Sequence, residues 1–227
     1  MFKAYLFFFC LLLSLGENIF AKPIQLKSYS VGGIKLTGYL PVDQQVYWVR
    51  KRPICHSGQS LVVPAAFTHP NQSIAGAAIE WGQTVNAQIS GQLNGFCVIS
   101  YLRPSIIHAN QMSPIKMKQM AKVGNSLFQQ DLLVENGHAL PIAHAATMNL
   151  WRALVIFPNR FEVVENDVAM RRDDFQAALL KIGAQQAIYL DLGTWSEGAY
   201  FSSQNRVVKI GKMRQNTRRQ TNWLVFH

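Results

Sequence analysis

Short segments in which apolar and polar residues alternate recur along most of the chain, and turns rich in glycine, proline or asparagine separate them. Alternation with a period of two predicts β-strands, because successive side chains of a strand point to opposite faces of a sheet. Ten segments have this character: 34–40, 46–51, 60–67, 95–102, 126–134, 150–157, 161–166, 186–192, 205–211 and 222–226. The chain is therefore predicted to fold around β-sheet.

Two further segments have the period of a helix. The first, 113–123, begins with Ser113 as a helix cap and Pro114 at the first helical position. The second, 170–184, places its apolar residues on one face and ends at Gly183. Few helices and many strands predict an α+β fold, with a single domain whose mixed, mostly antiparallel sheet has a few helices packed on it.

Residues 1–21 have the three-part pattern of a secretory signal peptide. Lys3 precedes an apolar run at 4–13 that is too short to anchor a protein stably across a bilayer, and Ala21 ends the segment. We therefore expect a domain at 22–227 that is periplasmic or secreted, with no membrane span once the signal is removed. A retained N-terminal anchor and lipid attachment at Cys10 are the alternatives.

Export also affects the interpretation of the cysteines. Cys10 would leave with the signal peptide, so Cys55 and Cys97 would remain as a pair. In an oxidising compartment such a pair is compatible with a disulfide, but two buried thiols give the same sequence. Both states therefore remain open.

The chain carries 22 Lys and Arg residues against 12 Asp and Glu residues, a formal net charge of +10. Six cations between 206 and 219 form a basic cluster without an acid: Arg206, Lys209, Lys212, Arg214, Arg218 and Arg219. Such a cluster favours an anionic partner, or it is a solvated face. Export disfavours a nucleic acid as that partner, and no nucleic-acid-binding motif accompanies the charge.

Common catalytic motifs are absent from the sequence. The histidines form no HxxxH or HxH zinc pair, and neither GxSxG, GxGxxG nor a P-loop pattern occurs, so we expect no metal and no cofactor. One carboxylate stands out, because Asp191 comes at the end of an apolar run and is followed by Leu192, Gly193 and Thr194. An acid in this position either simply ends a strand or contributes to a site at a loop.

From residue 126 onward, five short segments follow one another in a distinctive order: Gln129 or Gln130 with 133–137, Arg152 with Ala153, 182–184, Leu190 with Asp191, and 218–225. This order resembles the phosphodiester glycosidase family, the group of the uncovering enzyme of lysosomal targeting. The corresponding family segments are Q-x-P-x-L-V-x-N-G, R-[ST]-A-[IVL]-[GA], L-G-[AC], L-D-G-G-G-S and R-x-V-x-N-x-L-x-V. The resemblance extends more loosely back to residue 60.

Two departures indicate a divergent member of that family. The glycines that follow the family's aspartate are replaced by Leu192, Gly193 and Thr194. The early N-G-G-F-F block of the family corresponds at best to residues 65–68. Gly193 and Thr194 still offer backbone N–H groups to a phosphate.

The resemblance implies an exported hydrolase that cleaves a sugar from a phosphodiester in a glycan. Asp191 would activate water or stabilise the oxocarbenium-like centre, and Arg152 would act beside it on the phosphate. Six further residues would contact the substrate: Arg218, Asn222, Gly193, Thr194, Gln129 and Asn136. The implied partner is an anionic or phosphorylated glycan.

Two other functions remain compatible with the sequence. A non-catalytic envelope protein would bind an anionic glycan through the basic cluster. An ordinary glycosidase would need two acids at one site, for which Glu135 and Glu197 are the candidates.

Overall fold

The structure, a computed structural model, describes residues 23–55, 60–141, 148–192, 197–211 and 220–227. The predicted signal peptide at 1–21 lies outside these ranges. The helices within them are α1 (Pro114–Lys122), α2 (Arg172–Lys181) and a short 3-10 helix (Ala109–Gln111). The strands are β1 (Gln25–Val31), β2 (Ile34–Leu40), β3 (Val46–Val49), β4 (Leu61–Pro64), β5 (Ala78–Glu80), β6 (Gln83–Asn86), β7 (Gly95–Ser100), β8 (Arg103–His108), β9 (Ser126–Gln130), β10 (Leu132–Glu135), β11 (His138–Ala139), β12 (Arg152–Ile156), β13 (Phe161–Asn166), β14 (Gln186–Leu190), β15 (Gly198–Phe201), β16 (Val207–Ile210) and β17 (Trp223–Phe226).

These strands form three sheets, and every strand pair in them is antiparallel. A seven-stranded sheet has the order β1-β2-β13-β12-β14-β10-β11. Two five-stranded sheets have the orders β16-β15-β4-β17-β3 and β6-β5-β9-β7-β8. The predicted antiparallel strands are therefore confirmed, but they are divided among three sheets and the fold is more dominated by strands than expected.

The core lies where the three sheets face one another. Its main cluster takes residues from each sheet, such as Leu154, Leu224 and Phe128, all fully buried. The helix α2 covers the opposite face of the seven-stranded sheet through Phe175 and Leu179. No helix within the described residues is long and apolar enough to cross a membrane.

The strand predicted at 126–134 is two strands in the structure. β9 pairs with β7 and β5 in one sheet, whereas β10 pairs with β14 in another. Asp131 lies between them and is the point at which the chain passes from one sheet to the other. An alternating pattern does not show which sheet each half of a segment joins, so this break was not visible in the sequence.

The structure contains no disulfide between Cys55 and Cys97. Cys97 lies in β7 within the main core cluster, while Cys55 lies in the loop after β3 and packs beside Trp223. Burial raises the pKa of both thiols, that of Cys55 to about 11, so both stay protonated at neutral pH.

Candidate active site

A cleft of about 1320 Å³ lies where the junction of β9 and β10, the end of β14, the start of α2 and two loops meet. Its described lining includes aromatic rings, several amide side chains and three charged groups. The aromatic and titratable residues of the lining include Phe67, His69, Asp131, Trp151, Arg172, Tyr189 and Asp191. A large concave surface of this mixed character is the usual form of a small-molecule site.

Asp191 follows β14 directly and lines the cleft with 7% of its surface exposed. Its backbone N–H donates to the carbonyl of Ala65 at 2.9 Å, which fixes the end of the strand. Burial raises the pKa of the neighbouring Tyr189, and the negative charge of Asp191 adds to that effect. The Tyr189 hydroxyl is therefore protonated at neutral pH. The strand thus delivers its terminal acid into a cleft.

A second carboxylate and a guanidinium lie in the same cleft, and the sequence analysis identified neither. Arg172 Nη1 donates to Asp131 Oδ2 at 2.9 Å, and both side chains are largely buried. The Nε of Arg172 is buried and has no hydrogen-bond partner among the described residues. Little in the sequence indicated that these two residues belong to a site. Asp131 takes the position of the proline in the family segment Q-x-P, and Arg172 is simply the first residue of α2.

Three aromatic rings form a continuous row on the wall of the cleft. The ring of Tyr189 lies between those of Phe67, at a centroid distance of 5.3 Å, and Trp151, at 5.7 Å. The guanidinium carbon of Arg172 lies 5.8 Å from the centre of the Trp151 ring and 6.0 Å from that of Tyr189. An apolar wall beside a guanidinium suits a ligand with both a ring face and a negative charge.

Arg152, predicted to act beside Asp191, does not line this cleft. It pairs with Leu190 across the β12–β14 ladder, so the side chains of Arg152 and Leu190 lie on the same face of the sheet. Asp191 is the residue after Leu190, so its side chain lies toward the opposite face. Its fully buried guanidinium donates from Nε and Nη2 to Glu165 at 2.9 and 2.7 Å, and from Nη1 to the carbonyl of Glu197. The two predicted catalytic residues thus lie on neighbouring strands, but the Arg152 guanidinium pairs with Glu165 and does not line the cleft that Asp191 lines.

Gln129 lies behind the wall of the cleft instead of in it. Its Oε1 accepts from the N–H groups of Ala77 and Ser90, and its Nε2 donates to the carbonyls of Ser90 and Leu93. The side chain is fully buried, and these bonds use its amide to hold the loop at 87–94 in place. The predicted substrate contact is thus a positioning residue for a loop that lines the cleft.

We expect the substitution Gln129→Leu to release this loop, because it leaves two N–H groups and two carbonyls without their partner. Stability should fall by about 1–3 kcal/mol, the usual cost of buried polar groups left unsatisfied. Proteases should also cut more rapidly within 87–94, as limited proteolysis with mass spectrometry would measure. Gln130→Leu is the matched control, since the Gln130 amide accepts a single described bond, from the N–H of Asp131. An unchanged loop with lost ligand binding would instead support a direct substrate contact.

Asn222 and Asn136 are also engaged in structural roles. The buried Asn222 side chain bonds both the N–H and the carbonyl of Ala66, and it accepts from Trp48 Nε1. Asn136 is exposed and forms the two-residue turn between β10 and β11 with Gly137, at φ angles of 49° and 74°. Positive φ at both positions is the geometry of a type I′ hairpin turn, which favours the Asn-Gly pair. Neither residue lines the cleft.

The remaining predicted residues are placed differently. Gly193, Thr194 and Arg218 lie outside the described residues, as do Lys212, Arg214 and Arg219 of the basic cluster. Neither of the two acids considered for an ordinary glycosidase lines the cleft. Glu197 pairs with Arg52 at another surface, and Glu135 is at the end of β10. Within the described ranges, no group of three or more His, Cys, Asp or Glu side chains is arranged to hold a metal ion.

Comparison with known proteins shows similarity of fold only. The chain is similar to the structure of zebrafish N-acetylglucosamine-1-phosphodiester alpha-N-acetylglucosaminidase, catalytic domain auto-inhibited by its pro-peptide, with a TM-score of 0.62 and 11% identity over 94% of this chain and 85% of that chain. It is also similar to a hypothetical protein from Synechocystis, with a TM-score of 0.55 and 10% identity over 90% of this chain and 62% of that chain. No protein-family model and no curated protein matches the sequence. At these identities the chain shares a fold with a glycosidase catalytic domain.

Proposed function

We propose that this protein is an exported hydrolase that cleaves the bond between the anomeric carbon of a sugar and the phosphate oxygen of a phosphodiester. We base this on the cleft, in which a carboxylate, a guanidinium with an unpartnered Nε and a row of aromatic rings lie together. The fold shared with a phosphodiester glycosidase catalytic domain supports the reaction class. The pattern of residues 1–21 supports export.

Arg172 takes the phosphate-binding role that the sequence pattern predicted for Arg152. Its Nη1 is held by Asp131, while Nε, on the other edge of the guanidinium, has no partner among the described residues. That edge presents parallel N–H groups, the arrangement that binds two phosphate oxygens at once. Arg172 is the first residue of α2, so the helix fixes the position from which its side chain reaches the cleft.

Asp191 acts on the water that attacks the sugar. The water oxygen forms a bond to the anomeric carbon while the bond from that carbon to the phosphate oxygen breaks, and the electron pair leaves with the phosphate. Asp191 accepts the proton of the water and stabilises the positive charge that develops on the sugar. A phosphate is already a weakly basic leaving group, so a second acid is not needed to protonate it.

The aromatic row holds the sugar. Sugar rings have one face dominated by C–H groups, and such a face packs on Phe67, the ring of the row that is only partly buried, while the hydroxyls turn toward amides. Amide side chains line the same cleft at Asn86, Gln88, Gln92, Asn94 and Asn149. The cleft thus has an aromatic wall that binds the sugar and, separate from it, charged groups that bind the phosphate.

Turnover of aryl-phosphoryl sugars by the purified protein, over a panel of sugars and both anomers, tests this function. We expect release of free sugar and aryl phosphate by the wild type. The variant Arg172→Gln should bind the substrate at least about tenfold more weakly, since a hydrogen bond to a charged group contributes about 1.5–3 kcal/mol. Arg171→Gln is the matched control, because Arg171 is the neighbouring arginine, is half exposed and pairs with Asp174 outside the cleft. If the wild type binds the substrate but releases no sugar, the protein is instead a non-catalytic glycan-binding protein.

A further inference from the structure

Three turns lie side by side at one end of the five-stranded sheet that contains β9. β5 and β7 are both antiparallel to β9, so the turns that follow them, at 81–82 and 101–102, lie at the end where β9 begins. The turn at 123–125 joins α1 to β9 at the same end. We call these three turns the turn platform. It contributes none of the described lining residues of the cleft.

Hydrogen bonds tie the three turns to one another. The carbonyl of Asn125 accepts the N–H of Gly82 at 3.0 Å, and Asn125 Oδ1 accepts the hydroxyl of Ser100 at 2.9 Å. The N–H of Trp81 donates to Ser126 Oγ at 2.9 Å. The chain just before and at the start of β9 therefore bonds to both hairpins, and the turn platform is held as one surface.

Each of the three turns presents a large apolar side chain to solvent. Trp81 is 51% exposed, Val123 is 71% exposed and Tyr101 is 97% exposed. The ring of Trp81 also contacts that of Tyr47, at a centroid distance of 6.2 Å. The turn platform thus exposes two aromatic rings and an aliphatic group close together at one end of the molecule.

The two aromatic residues occupy backbone conformations that disfavour them. Both hairpins have two-residue turns, and φ is 48° at Trp81, 50° at Tyr101 and 60° at Leu102. Turns of this kind usually contain Asn and Gly, as the β10–β11 hairpin of this chain does at Asn136 and Gly137. A bulky side chain at positive φ costs free energy, and an almost fully exposed ring gains little from packing in return. This favours a role for the rings outside the fold.

Two cations flank the exposed apolar groups. Arg103 follows the turn at 101–102, Lys122 ends α1, and both are exposed. The segments 80–83, 100–103 and 121–126 contain a single acid, Glu80. Its carboxylate accepts from the N–H and the Nε of Arg50. The charges of the turn platform therefore suit a negatively charged surface.

We propose that the turn platform binds the surface of an anionic membrane. Trp81, Tyr101 and Val123 enter the boundary between the headgroups and the acyl chains, where tryptophan and tyrosine are favoured. Arg103 and Lys122 lie at the lipid phosphates, since cations beside an anionic leaflet are attracted to it. Three apolar side chains that project from three turns suit insertion between lipids better than stacking on a single sugar ring.

Membrane binding at this end leaves the cleft accessible. β9 runs from the turn platform to Asp131 at the cleft, a distance of roughly 17 Å at about 3.4 Å per residue. The cleft is then held beyond the interface, beside glycans at the membrane surface. The proposal does not depend on which reaction takes place in the cleft.

Co-sedimentation with lipid vesicles tests the proposal. The protein is purified after export, and its mass is checked so that the apolar run at 4–13 is absent. It should bind vesicles of phosphatidylcholine and phosphatidylglycerol, mixed at about 2:1, at least about fivefold more tightly than vesicles of phosphatidylcholine alone. Brominated lipid should quench part of the tryptophan fluorescence of the bound wild type, and this quenching should be lost in Trp81→Asn.

Trp81→Asn and Tyr101→Asn should each weaken binding to the anionic vesicles about fivefold, because each removes an inserted ring. Asparagine suits both turns, so thermal unfolding should show an unchanged or higher Tm. Val168→Asn is the matched control, since Val168 is 71% exposed but lies in the loop between β13 and α2. It should bind like the wild type.

Arg103→Gln and Lys122→Gln should each weaken binding to the anionic vesicles about fivefold, and binding should fall as salt is added. Arg206→Gln is their control, because Arg206 is an exposed cation in the turn between β15 and β16. Wild-type binding in both asparagine variants, an equal loss in Val168→Asn or no binding of the wild type to anionic vesicles would overturn the proposal. Binding of the wild type to soluble dextran sulfate but not to vesicles would also overturn it, in favour of a site for an anionic polysaccharide.

Discussion

Replacing Asp191 by asparagine is expected to lower kcat on a sugar phosphodiester by about 10²- to 10⁴-fold, the usual contribution of a positioned general base. The amide keeps the shape of the side chain but loses the charge that accepts a proton and stabilises the developing positive centre. Both interactions are stronger in the transition state than in the ground state, so substrate binding should change little. Single-turnover rates, with binding measured separately by calorimetry, distinguish the two effects.

Asp173→Asn is the matched control for Asp191→Asn. It makes the same chemical change and the same change in net charge, at an exposed position outside the cleft. It should leave both kcat and substrate affinity at wild-type values. Turnover in Asp191→Asn within about a factor of two of the wild type, in a folded protein, would remove Asp191 from the catalytic role and favour a binding protein.

The strands that could be predicted are those whose own residues show both the apolar pattern of a strand and the turns that bound it. Ile34–Leu40 and Phe161–Asn166 have the predicted bounds because turn residues flank both: Gly33 and Pro41 flank the first, and Pro158 and Asn159 precede the second. Gln25–Val31 was missed because it is the edge strand of the seven-stranded sheet, where an exposed, polar strand needs no apolar face. Arg103–His108 contains a proline and an arginine, so only its pairing with Gly95–Ser100 defines it as a strand.

The site could be predicted only in part, for a different physical reason. An acid at a strand end is visible in a sequence, and Asp191 does line a cleft. A buried glutamine or asparagine has the same appearance whether it binds a ligand or the backbone, and Gln129 and Asn222 bind backbone groups from distant parts of the chain. Arg172 and Asp131 become neighbours only through the packing of α2 beside β10.

Replacing Arg152 is expected to lower the free energy of unfolding by a large amount. Glu165 accepts from Arg152 at 2.9 and 2.7 Å and from the hydroxyl of Tyr39 at 2.6 Å, and Arg152 is fully buried. Removing one partner of a buried ion pair leaves the other charge without compensation. We expect Arg152→Met to destabilise the protein by about 3–5 kcal/mol, which corresponds to a loss of roughly 10 °C in Tm for a domain of this size.

A second substitution separates a structural role of Arg152 from a catalytic one. In the background of Arg152→Met, the further change Glu165→Gln removes the uncompensated charge but retains an acceptor for Tyr39, so it should restore part of the lost stability. Thermal unfolding of the two variants measures this coupling, with Arg171→Gln as the exposed-arginine control. Turnover per folded molecule should stay close to that of the wild type in both variants at a temperature where they are folded, because Arg152 lies outside the cleft. If Arg152→Met instead unfolds like the wild type but fails to bind a phosphodiester, then Arg152 is a substrate-binding residue, and its burial beside Glu165 describes a state that must open before the substrate binds.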